Sequence, residues 1–84
     1  MSDEGIDSAE FDHKLDAEGL LCPEPVMMLH QAMNDAKVGE VVYVIATDPS
    51  TERDITNFCH FLGHELLRFD TSDGKYFYWI KKSE

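Results

Sequence analysis

Basic residues are scarce in this 84-residue chain: seven Lys and Arg stand against seventeen Asp and Glu, for a formal net charge of −10. Affinity for a phosphate backbone rests mainly on Lys and Arg, so this balance argues against direct binding of RNA or DNA. It favours a protein partner with a basic docking surface. Cysteines number only two, Cys22 and Cys59. A small extracellular domain stapled by disulfides uses more, which points to a reducing compartment. No apolar run reaches the roughly 18 residues that a membrane-spanning helix needs. The start, Met1-Ser2-Asp3-Glu4-Gly5, lacks the basic and then apolar segments of a secretion signal. A cytoplasmic location with no membrane association is expected. There is no glycine-rich phosphate loop, and Pro25 stands where a Cys-x-x-Cys pair would need its second thiol. A local dithiol–disulfide cycle is thereby excluded.

What is present suits one small globular domain, with 43% apolar and 11% aromatic residues. Residues 1–12 are acidic and small, and are expected to form a mobile tail in which Ile6 and Phe11 are too isolated to anchor anything. A single domain over 13–84 follows. A short strand is expected from His13 to Ala17 and a helix from Glu24 to Ala36, with Val26, Leu29, Met33 and Ala36 on one face and Gly39 as a left-handed cap. Val41 to Ala46 is an unbroken apolar, β-branched run that fits an interior strand. Asp48 is expected to cap a second helix with Pro49 in its first turn, Ile55, Phe58, Cys59 and Leu62 inward, and Gly63 at its end. Glu65 to Asp70 and Lys75 to Lys81 read as strands around a turn, Thr71-Ser72-Asp73-Gly74. The order βαβαββ predicts an α/β two-layer sandwich: a four-stranded mixed sheet with two helices on one face. The first three strands run in one direction and the fourth opposes them.

The chain is organised around Gly19-Leu20-Leu21-Cys22-Pro23-Glu24-Pro25. Pro23 pushes Cys22 out of the helical region, and Pro25 is tolerated in the first turn of the helix that follows. Cys22 is thus expected just ahead of a helix N-terminus, with the N–H groups of Val26 and Met27 nearby. Partial positive charge gathers there, which favours loss of a thiol proton and makes Cys22 the candidate reactive residue. Pro23, Glu24 and Pro25 shape its loop, and the charge of Glu24 opposes a neighbouring thiolate. The competing reading is a buried thiol acting as a small hydrophobe. That reading suits Cys59, which falls at core spacing between Phe58 and Leu62. His13, His30, His60 and His64 show no metal-ligand spacing, and Gly63 breaks the helix between the last two, so they are expected on the surface. Tyr76-Phe77-Tyr78-Trp79 could stack bases, but alternate members must face the helices.

Leu15-Asp16-x-x-Gly19-Leu20-x-Cys22-Pro23-x-Pro25, Asp48-Pro49 and Asp54-Ile55-x-x-Phe58-Cys59 together resemble the TusA (SirA-like) sulfur-carrier family over residues 13–82. Departures occur at His30-Gln31, where basic residues are common, and at Val38-Gly39, where Pro-Gly is common. The resemblance implies a βαβαββ two-layer fold and a sulfurtransferase activity in which Cys22 carries a persulfide. No cofactor or metal is implied. The implied donor is an IscS-type cysteine desulfurase and the implied acceptor a TusBCD-type relay. The destination would be the 2-thio group of wobble uridine in tRNA, without tRNA binding by this chain. Relatives serving sulfur oxidation or molybdenum-cofactor supply mark an alternative destination. A non-catalytic interaction module and a Cys22 redox sensor are readings from other classes.

Overall fold

The computed structural model describes residues 11–83. Its elements are β1 (His13–Ala17), α1 (Glu24–Asp35), β2 (Val41–Ala46), α2 (Thr51–Leu62), β3 (Glu65–Ser72) and β4 (Lys75–Lys81). They form one four-stranded sheet in the order β1-β2-β4-β3. β1 and β2 are parallel, and β4 runs antiparallel to both of its neighbours. The expected mixed sheet and two-layer sandwich are therefore what the chain adopts. The tail expected over residues 1–12 lies outside the described residues up to residue 10.

One face of the sheet carries the core. Val42, Val44 and Ala46 of β2 alternate inward beside Tyr78 and Ile80 of β4. Leu29, Met33 and Ala36 from the first helical segment and Ile55, Phe58 and Cys59 from α2 cover them. Complete burial of an aliphatic side chain contributes roughly 1.5–3 kcal/mol, so this face dominates stability. The other face explains why β2 is apolar throughout. Tyr43 is flanked there by the rings of Phe11 (5.0 Å), Trp79 (4.7 Å) and Phe77 (6.4 Å). Phe11 is thus stacked on the sheet, contrary to the expectation that it is too isolated to anchor its segment.

Local chemistry moves several boundaries. α1 ends at Asp35 with extended Ala36 as its C-cap, and Gly39 does not cap it. Gly39 instead takes φ +92° inside the turn closed by the Glu40 N–H on the Lys37 carbonyl, where a left-handed residue is needed. α2 begins at Thr51 with Ser50 in the N-cap position, later than expected. Asp48 forms a tight turn before it, its Oδ1 accepting the Ser50 N–H at 3.0 Å and its carbonyl the Thr51 N–H at 3.0 Å. Gly63 does end α2 in the left-handed region, at φ +79°. β3 runs to Ser72, so the hairpin loop shrinks to Asp73-Gly74. Leu62 is 42% exposed and does not join the core.

Candidate functional site

The loop between β1 and α1 is held against the turn that precedes α2. The Gly19 N–H donates to Thr47 Oγ1 at 2.9 Å, and the Cys22 N–H donates to Asp48 Oδ2 at 2.7 Å. Asp48 therefore spends one carboxylate oxygen on its own turn and the other on the cysteine loop. That turn is in turn rooted in the core. Thr51 Oγ1 donates to the Asp48 carbonyl at 2.7 Å and lies 2.8 Å from the buried Tyr78 hydroxyl. Pro23 occupies the N-cap position of α1 and Pro25 is buried, which fixes how the loop enters the helix. The Cys22–Pro23 peptide bond is cis.

Cys22 is exposed and free, whereas Cys59 is free and buried. The Cys22 thiol opens on a groove of about 500 Å³ between α1 and α2, bounded by Val26, His30, Asp54, Phe58 and Phe61. His30 packs edge-on against Phe58 at 4.6 Å. Phe61, 87% exposed, stands at the groove. An apolar wall beside a reachable thiol suits a docked protein chain better than bulk water.

The electrostatics differ from the sequence-based expectation. The thiol makes its hydrogen bond to a carboxylate of α2: Cys22 Sγ donates to Asp54 Oδ2 at 3.0 Å. This bond, with partial desolvation and the nearby negative charge, raises the Cys22 pKa above its ordinary value of 9.0. The Asp54 contact thus works against the gain in thiolate expected from the start of α1. The Met27 N–H, counted on to favour the anion, is spent on the Pro23 carbonyl at 3.0 Å. Asp48 has the opposite shift: the N–H groups of Ser50 and then Cys22 hold its carboxyl below the usual value. For Cys59, burial pushes the thiol up to about 11.

Sequence reasoning located Cys22 and its prolines but missed Asp54 as the partner of the thiol. Helical spacing groups Asp54, Phe58 and Phe61 along one side of α2, but no pattern in the chain says that this side meets Cys22. Of the histidines expected on the surface, His30 and His60 are exposed. His13 and His64 are half-buried, bonding to Glu40 (2.7 Å) and to the Ser83 N–H (3.2 Å).

Fold and site together define a small α/β sandwich that presents one cysteine at the mouth of an interhelical groove. The family model described as sulfurtransferase TusA matches residues 13–82, and the chain belongs to that family. It is 56% identical to the sulfur carrier protein TusA of Pseudomonas syringae pv. syringae over 79 residues, which covers 94% of each chain. It is 61% identical to that of Pseudomonas entomophila over 71 residues, covering 84% of this chain and 89% of the relative. The crystal structure of a SirA-like protein from Desulfitobacterium hafniense superposes with a TM-score of 0.75 at 21% identity. That superposition covers 87% of this chain and all of the other, and speaks for the fold alone.

Proposed function

We propose that the protein is a cytoplasmic sulfur carrier whose Cys22 takes a persulfide sulfur from a cysteine desulfurase and passes it to a downstream relay. The observation that carries this reading is the exposed Cys22 thiol in an apolar-walled groove, with the second thiol shut in the core. In the loading step Cys22 Sγ loses its proton to solvent and attacks the outer sulfur of the donor persulfide. A new S–S bond forms, the donor's S–S bond breaks, and the donor cysteine leaves as a thiolate. Unloading repeats this exchange on the terminal sulfur of the Cys22 persulfide, attacked by an acceptor cysteine. Pro23, Glu24 and Pro25 present the thiol, and no resident metal or cofactor takes part. The relay is of the TusBCD type and its destination is the 2-thio group of wobble uridine in tRNA. A chain of net charge −10 reaches that end through proteins rather than through the RNA itself.

Intact mass spectrometry after incubation with a cysteine desulfurase and L-cysteine tests the assignment. Wild type and Cys59→Ser are expected to gain the mass of one sulfur, released by reductant, and Cys22→Ser to gain none. Equal loading of both variants overturns it. Loss of 2-thiouridine from the tRNA of a deletion strain would support the proposed destination, and an unchanged level would exclude it.

A further inference from the structure

We propose that Asp54 is a positioning residue that locks the Cys22 thiol, keeping it protonated and aimed along the groove while the carrier stands alone. This rests on the reading of Cys22 as the sulfur-bearing residue. The two oxygens of the Asp54 carboxylate are divided between two partners. Oδ1 accepts from Arg53 Nε at 3.4 Å, and Oδ2 accepts from Cys22 Sγ at 3.0 Å. Ionising Cys22 would exchange that hydrogen bond for two like charges about 3 Å apart, so the carboxylate opposes the thiolate. The remaining groups around the thiol do not reverse this. From the turn before α2 come Asp48, whose charge adds to the repulsion, and Ser50, whose hydroxyl favours the anion. From α1 come Glu24, acidic and two residues away, and His30, on the groove wall. Arg53, the neighbour of Asp54 on α2, pairs with that carboxylate and not with the thiol.

The bond also fixes direction. Asp54 stands on α2 while Cys22 precedes α1, so the S–H···O contact spans the groove and holds Sγ at its mouth. An unloaded carrier in this state is a poor nucleophile toward stray oxidants and electrophiles, because the thiolate is the reacting species.

The test is the pH dependence of Cys22 alkylation by iodoacetamide, followed by peptide mass mapping, in the full chain and its Asp54→Asn and Asp54→Glu variants. Asp54→Asn is expected to move the midpoint to lower pH and to speed alkylation at neutral pH. Asp54→Glu, which keeps a carboxylate, is expected to keep its midpoint above that of Asp54→Asn. A purely structural role for Asp54 would not sort the variants by charge. An Asn midpoint equal to or above that of wild type overturns the lock. Cys59 left unlabelled reports that each variant is folded; should Asp54→Asn unfold, Asp54→Ser removes the same charge and is read the same way. No sulfur donor is involved, so failure here leaves the carrier reading standing, whereas loading of Cys22→Ser would remove that reading and leave the lock.

Discussion

Cys59 lies on the face of α2 turned to the sheet, beside Phe58 and Ile55, at 3% exposure. Cys22 sits across the groove from the neighbouring face of the same helix, exposed and bonded to Asp54. Both thiols hold their protons more tightly than usual, for unlike reasons. Around Cys59 the cause is desolvation, which is built from many packed side chains and cannot be withdrawn without opening the core. Around Cys22 the leading cause is one hydrogen bond to one carboxylate at the surface. A restraint of the first kind is permanent. A restraint of the second kind can be lifted by any group that draws Asp54 away, as the proposed carriage of sulfur by Cys22 would require.

The largest expected difference between the two thiols is access. In the native protein at pH 8, iodoacetamide should modify Cys22 while Cys59 reacts only through opening of the core. For a domain stable by about 5 kcal/mol that protects Cys59 by roughly 10³-fold or more. Peptide mapping with and without denaturant measures the ratio, and comparable native rates would erase the contrast. Next in size is the packing role of Cys59. Cys59→Ser buries a hydroxyl in an apolar site and should cost about 1–3 kcal/mol, or about 4–8 °C in Tm for each kcal/mol in a domain of this size. Cys22→Ser, at the surface, should leave the melt within about 0.5 kcal/mol of wild type. Equal melting losses would mean that the Cys22 loop supports the fold and not only the site.

The architecture could be read in advance wherever one physical rule acted on neighbouring residues. Alternation and β-branching in Val41–Ala46, helical spacing from Leu29 to Met33 and from Ile55 to Cys59, and the Asp73-Gly74 turn each specify their element locally. Rules that compete were harder to resolve. Gly39 suits both a helix cap and a turn; Ala36 leaves the helix in an extended conformation three residues earlier, and Gly39 falls to the turn. Asp48 looked like a helix cap because one of its oxygens nearly is one; that its second oxygen holds the Cys22 N–H depends on two segments meeting in space. The same applies to Asp54. Position along the chain says that Cys22 precedes a helix, and helix starts favour thiolates in general. Only the packing of α2 against α1 puts a carboxylate, and not a bare N–H, at hydrogen-bond distance from the sulfur.

The smallest expected effect separates the two carboxylates beside Cys22. Asp48 touches the loop through the Cys22 N–H and acts on the thiol only through its charge, so Asp48→Asn should lower the alkylation midpoint by less than Asp54→Asn does. Its second signature is acid stability. In the folded chain the Asp48 carboxyl is held below its ordinary value of 3.8, first by the Ser50 N–H and then by the Cys22 N–H. A group whose folded value is depressed contributes stability that is present above the unfolded value and is lost as pH falls through the folded one. The wild-type advantage over Asp48→Asn in urea melts should therefore be constant near neutrality and shrink below pH 3.8. Glu40, whose carboxyl is lowered by the Lys37 N–H and by His13, has the same sign but is common to both proteins and drops out of their difference. Parallel acid limbs for the two proteins would show that Asp48 ties down the thiol loop without its charge.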